Sequence, residues 1–347
     1  MKDNPDSGLQ LSVRKEWLAT SIEEPLEPAL PIIDPHHHLL DNATHRYLRA
    51  ELEEDLRSGL NVLGTVFIPS PFSMYRTGGP EEFKPLGEIE YAVEVARASA
   101  AAGDGCPRVC AGIVGFVDLT LAERAAPVLE AMHELAGGRL KGIRNNTAWH
   151  ADSTIQSNPF RPARHLLLEP KFQKGAALLS NYGLSLDVWV FQSQLAEVRT
   201  LAENCPDLTI VVDHLGGPLG IGSYGSDKKE SFRQWKVSLY ELSRLPNTLL
   251  KLGGLGMRFS GLDFHKAPTA PTSAELADAW RPWIETGIDL FGVDRCMFEA
   301  NFPMDKGMYS YVSGWNAFKI LSRNASPDEK AKLFSGTAER IYRLGLA

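Results

Sequence analysis

The sequence predicts an α/β protein built as a single (β/α)8 TIM barrel with an irregular N-terminal extension. Three observations predict it. Eight short apolar runs alternate with helical patterns, which reads as a parallel sheet with crossover helices. Eight is the number of strands that closes such a barrel. The length, 347 residues, suits one barrel, because α/β barrels often run this long as a single domain. An open doubly wound sheet is the competing architecture. It would normally show a Gly-rich phosphate turn after its first strand, and the sequence has none.

The runs, in order, are PIIDPHHH, NVLGTVFIP, VCAGIVGFVD, LKGIRNNTAW, GLSLDVWVF, LTIVVDHLG, TLLKLGGLG and RCMFEANFP. Between them lie helical patterns such as EIEYAVEVARASAAAG and ESFRQWKVSLYELSRLP. Residues 1–30 form the extension and 31–347 the barrel; SIEEPLEPALP carries three prolines and little periodicity, so the extension is expected to wrap the surface. A net charge of −7 argues against nucleic acid and anionic membranes as partners. No apolar run approaches a membrane span, and no apolar block follows the N-terminal basic residues as in a signal peptide. The four cysteines contain one close pair, Cys106 and Cys110, and no second pair to complete a zinc site. Reduced thiols in a cytoplasmic protein are expected. Association of identical chains stays open.

Barrel chemistry sits at the carboxyl ends of strands. There the runs carry His36 and His38, Arg144, Gln192, His214, Glu299 and Asn301. Side chains alternate along a strand, so Asp34, His36 and His38 are expected to face the barrel, with His37 turned outward beside Ile33. A His-x-His pair is a common way to offer two neutral imidazoles to one metal. His214 follows an apolar β-branched run, where it has little packing logic and good site logic. Arg144, Lys251, Arg258 and Tyr75 are the residues expected to bind substrate, with Gln192. An arginine fork matches a carboxylate, so the expected partner is a small, anionic molecule.

The stretches IDPHHHLLD, LKGIRNN, VVDHLGGPLGIG, LLKLGGLGM and CMFEANFPMD together resemble the amidohydrolase superfamily. The likeness is closest to its lactonase branch, which includes the 2-pyrone-4,6-dicarboxylate and L-fuconolactone hydrolases. The resemblance implies a catalytic barrel in which His36, His38 and His214 polarise a carbonyl, directly or through a metal they hold. It implies that Arg144 grips the substrate. It also exposes two departures. Relatives place a water-activating aspartate where this chain has Asn301, and often a histidine where it has Gln192. An amide is essentially non-basic. Glu299, two residues before Asn301 and so on the same strand face, is therefore the expected base, with Asn301 expected to orient the water or the substrate; Asp305, in the following loop, is expected to be solvated. Whether one divalent ion, zinc or manganese, is held or none is left open.

The function expected is hydrolysis of a lactone or related ester of a small carboxylic acid. A decarboxylase or hydratase on the same fold is the alternative. A barrel that has lost catalysis and binds a small acid is the alternative of another class.

Overall fold

The computed structural model of the chain describes residues 10–41, 46–70, 74–103 and 106–346. Each of the eight apolar runs contains one strand: β1 (Ile32–His37), β2 (Val62–Phe67), β3 (Arg108–Gly115), β4 (Leu140–Asn146), β5 (Ser185–Trp189), β6 (Ile210–Val212), β7 (Thr248–Leu252) and β8 (Cys296–Phe298). They form one sheet in chain order, every pairing parallel. Helices surround it: α1 (Arg49–Leu56), α2 (Leu86–Ala100), α3 (Ala126–Ala136), α4 (Pro170–Asn181), α5 (Leu195–Asn204), α6 (Lys228–Ser243), α7 (Ser273–Phe291), α8 (Tyr311–Leu321) and α9 (Thr337–Tyr342). This is the expected (β/α)8 barrel. No helix among the described residues is long and apolar enough to cross a membrane.

β5 to β8 are buried along their whole length, which is why they read as continuous apolar runs rather than alternating ones. Alternation separates two cores. Ile33, Val66, Val114, Val211, Leu249 and Met297 point inward and pack together at the amino-terminal end of the barrel. Tyr342 of α9 joins that cluster and plugs the base. The neighbours Ile32, Phe67, Val212, Leu250 and Phe298 point outward into the larger core against the helices.

The ring closes between β8 and β1, just beyond β8. Asn301 N donates to His36 O (3.0 Å) and His38 N to Phe302 O (2.8 Å), with a parallel bridge between His37 and Phe302. The Asp34 carboxylate continues this seam by accepting from Ala300 N (3.1 Å).

One expectation about β1 is corrected here. Its pairing with β2 shifts register between Asp34 and His37, around Pro35. The shift adds one residue to the alternation. Ile33, His36 and His38 therefore face inward, and Asp34 faces outward, where Tyr311 of α8 donates to it (3.1 Å). His37 also faces outward, against Phe67 and Cys110.

Residues 10–31 run along the barrel's outside. They are tied down by Trp17 Nε1 on Ala267 O (2.9 Å), Ser273 N on Glu23 (2.7 Å) and Leu26 N on Asn316 (2.8 Å). Their first described residues, Gln10 and Leu11, reach the cavity at the barrel mouth.

Candidate active site

A cavity opens at the carboxyl ends of the strands. His38, Arg144, His214, Arg258 and Asn301 line it, with Trp189, Met257 and Phe259 as an apolar wall. His36 and Glu299 lie directly beneath, fully buried.

Each imidazole is oriented by an acceptor behind it. His38 Nδ1 bonds Ile68 O (3.0 Å). His36 Nδ1 lies 2.8 Å from one oxygen of Glu299, and His214 Nδ1 lies 2.6 Å from the other. The His214 backbone N–H adds a third donor to Glu299 (3.0 Å). For His38 and His214 the acceptor fixes the proton at Nδ1 and leaves the Nε2 lone pair for the site, whereas His36 Nδ1 also meets the Lys251 ammonium, a pure donor, at 3.2 Å. Burial holds His36 and His38 well below the usual histidine range, helped by the cations of Lys251 and Arg144 respectively, so both are neutral. Burial alone would raise Glu299, but the His214 and His36 N–H donors outweigh it and keep the carboxylate ionised. Glu299 therefore sits behind the histidines, with two His214 donors on one oxygen and His36 Nδ1 2.8 Å from the other. The geometry does not support the expectation that it meets water as the base.

A charged layer lies at the same depth. Lys251 Nζ pairs with Asp187 (2.8 Å) and Asp213 (3.1 Å), and Arg144 Nε reaches the other oxygen of Asp213 (2.9 Å). Tyr342 Oη donates to Asp187 from below (2.6 Å). Burial would strip Lys251 of its proton, but the two carboxylates hold its pKa above the usual lysine value. Lys251 is fully buried, so it is a structural cation and does not reach the cavity as expected of a substrate contact.

Gln192 is corrected in the same way. Its amide donates to Ser231 O and Oγ (3.3 Å each) and accepts from Leu219 N (2.8 Å), so it braces the loop after β6. Tyr75 does not line the cavity either. Arg144 and Arg258 do.

Asp187 and Asp213 are the residues that sequence reasoning missed. Their signal was a lone carboxylate inside each of the apolar runs LSLDVWV and LTIVVDHL. Buried carboxylates are usually paired, so each demanded a buried cation, and Lys251 sits in the run two strands or one strand away.

A family model described as Amidohydrolase matches residues 33–344. The chain belongs to the amidohydrolase family. An uncharacterised protein, y4mH, of Sinorhizobium fredii is 28% identical over 91% of this chain and 99% of its own. The L-fucono-1,5-lactonase of Burkholderia multivorans is 27% identical over 67% of this chain and 72% of that one. In three dimensions the chain resembles a Burkholderia multivorans amidohydrolase solved with bound zinc, with a TM-score of 0.68 and 23% identity over 90% of this chain and 99% of that one. Within the amidohydrolases, the likeness is to the lactonase branch.

In this amidohydrolase the donors suit one cation. His36 Nε2 and His38 Nε2 are 3.2 Å apart, close enough to share one proton or one cation. Two lone pairs at that distance repel unless a cation or a proton lies between them. Two nitrogens bound to one tetrahedral zinc at about 2.0–2.1 Å stand roughly 3.3 Å apart. His36, Asp213 and His214 offer another set of donor atoms, all within 4.8 Å of one another. Asp213, however, already faces Lys251 and Arg144, and a further cation there would meet two like charges.

Asn301 has a left-handed backbone (φ 55°) and a fully buried side chain. Its Nδ2 donates to Asp305 (2.7 Å), while its Oδ1 has no protein partner. Asp305 is fully buried and not solvated, contrary to expectation. It also accepts from Gly256 N (3.0 Å) and Tyr309 Oη (2.6 Å). Burial pushes its carboxyl up to about 6, against the pull of those donors.

Proposed function

We propose that this amidohydrolase hydrolyses the ester bond of a lactone of a small acid. The observation that carries the reading is the set of three buried imidazoles. His38 and His214 have their Nδ1 pinned by an acceptor, so their reactive nitrogens meet at one cavity, beside the Arg144 guanidinium. Sequence likeness to a lactonase supports it.

The residues divide the work as follows. Arg144 Nε is ion-paired with Asp213 (2.9 Å) and one amino group donates to Pro69 O (3.4 Å), which leaves the rest of its fork to bind the substrate's carbonyl or carboxylate oxygen. His214 Nε2 takes a proton from water as it attacks the carbonyl. The Glu299 carboxylate, 2.6 Å from His214 Nδ1, stabilises the imidazolium that forms. The proton then passes to the alkoxide oxygen that leaves as the ring opens. A divalent ion held by His36 and His38 would polarise the carbonyl and acidify water. Arg258, at the cavity wall, would meet an anionic group on the substrate.

The test is a proton-release assay of the purified protein against sugar-acid, aliphatic and pyrone-type lactones, together with metal analysis by mass. Opening of at least one lactone class is expected, with about one zinc or manganese per chain. A folded, metal-replete protein that opens no lactone overturns the reading. Carbon dioxide release from an aromatic acid would replace it with a decarboxylase.

A further inference from the structure

A carboxylate presents two equivalent acceptors to an active site, but a carboxamide has two unlike ends, an acceptor oxygen and a donor nitrogen. At residue 301 this chain has the carboxamide. The side chain is fully buried and lines the cavity, so which end faces the substrate decides what the residue can do.

Asp305 settles that choice. Its Oδ1 takes the Asn301 Nδ2 proton at 2.7 Å. Its Oδ2 is anchored by Gly256 N (3.0 Å) and Tyr309 Oη (2.6 Å), so the carboxylate cannot swing away. The close approach to the Gly256 backbone depends on glycine: a Cβ there would lie 2.7 Å from Asp305 Cβ. Reversing the Asn301 amide would set its oxygen against the Asp305 oxygen, acceptor to acceptor. The unreversed amide leaves Oδ1 buried and without a protein partner, on a residue that lines the cavity.

We infer that Asp305 is a positioning residue that pins the Asn301 carboxamide with its oxygen toward the cavity, where it accepts a hydrogen bond from the attacking water. The identity of that water rests on the lactone-hydrolase reading above. The orientation matters to the chemistry. A water that donates one proton to Asn301 Oδ1 and the other to His214 Nε2 keeps its lone pairs free for the carbonyl. A water that accepted from an Asn301 N–H would have a lone pair occupied. The acidic group of this corner has thus been set one residue deeper, behind a neutral relay. It follows that Asn301→Asp does not simply install a base, because it puts a second carboxylate within 2.7 Å of Asp305, and two such groups share one proton.

The experiment is a double-mutant cycle on the intact protein, with Asp305→Asn, Asn301→Leu and the pair combined, read as kcat and KM for a lactone the native protein opens. Each single variant is expected to lose about tenfold in kcat with KM within about twofold. The double variant is expected to be no slower than Asn301→Leu alone, because Asp305 acts only through Asn301. Losses that multiply overturn the inference. A second readout needs no substrate and no variant that must fold. In the 15N-labelled native protein the Asn301 carboxamide protons should exchange slowly with solvent, and unprotected protons there overturn the inference. If the native protein opens no lactone, the functional reading fails on its own, and a faster exchange of those protons in folded Asp305→Asn, expected here, still decides the role of Asp305.

Discussion

Asp187, Asp213 and Lys251 lie inside the same barrel as His38, His214 and Asn301, about one residue deeper, and the two groups treat burial in opposite ways. In the deeper group every charge faces an opposite charge: Lys251 lies between the two carboxylates, and Arg144 closes the far side of Asp213. In the shallower group Ile68 O, Glu299 and Asp305 hold one side of each residue, and His38 Nε2 meets only a second neutral imidazole, that of His36. The other side is turned to the cavity. Buried charge is tolerated when it is paired, and reactivity requires an atom left unpaired. The barrel achieves both by stacking them, with the paired layer serving as an electrostatic floor for the unpaired one.

The largest effect should come from breaking the floor. Lys251→Met leaves Asp187 and Asp213 buried without their shared cation, and is expected to destabilise the fold by about 3–5 kcal/mol in urea unfolding. A loss below about 1 kcal/mol would mean that the floor is not held by charge. Glu299→Gln comes next. It keeps the shape but removes the charge behind both His214 and His36, and should lower kcat on the order of 100-fold while KM changes little. Equal losses of stability and activity would instead place Glu299 with the floor.

Asp34 sharpens the comparison from outside the ring. It is fully buried, its partners Ala300 N, His36 N and Tyr311 Oη are all neutral, and burial pushes its carboxyl from 3.8 up to about 7. As pH rises from about 4 to 7 the unfolded chain gives up this proton before the native protein does. Stability should therefore fall with rising pH across that window, by at most about 4 kcal/mol at 1.36 kcal/mol per unit. Asp34→Asn should flatten this part of the unfolding free-energy profile, and an unchanged slope would show that other groups set it. The smallest effect expected is at the mouth. Leu11→Ala trims a nearly buried residue of the cavity wall and should raise KM a few-fold, about 1 kcal/mol, without altering kcat.

Much of the shallower group was legible in the sequence, and much less of the deeper one. His36, His38, His214 and Arg144 stand at strand ends, where polar residues have no packing role, so each announces itself. Lys251 and Gln192 also stand at or near strand ends. Their side chains are taken up by partners 64 and 39 positions away in the chain, and no local pattern shows a partner at that distance. The facing of Asp34 was missed because Pro35 shifts the register of β1, and strict alternation assumes that no residue is inserted. Asp305 lies in the loop after a strand, where a carboxylate is ordinarily solvated. Its burial arises from Tyr309 and Gly256 closing over it, and Gly256 belongs to a different strand's loop. The eight strands themselves were readable because each is buried on both faces and so forms a continuous apolar run between breakers.

The seam between β8 and β1 has a consequence for how this protein comes into being. Asp34 and Ala300, which meet across it, are 266 positions apart. During synthesis His36, His38, Arg144 and His214 all leave the ribosome well before Glu299 and Asn301. Until those last residues emerge, His36 and His214 have no carboxylate behind them and the ring has no closing edge. A nascent chain that stalls before residue 299 can thus carry all three imidazoles and still lack the groups that hold two of them in place. The last-made strand completes the barrel and arms it in the same event.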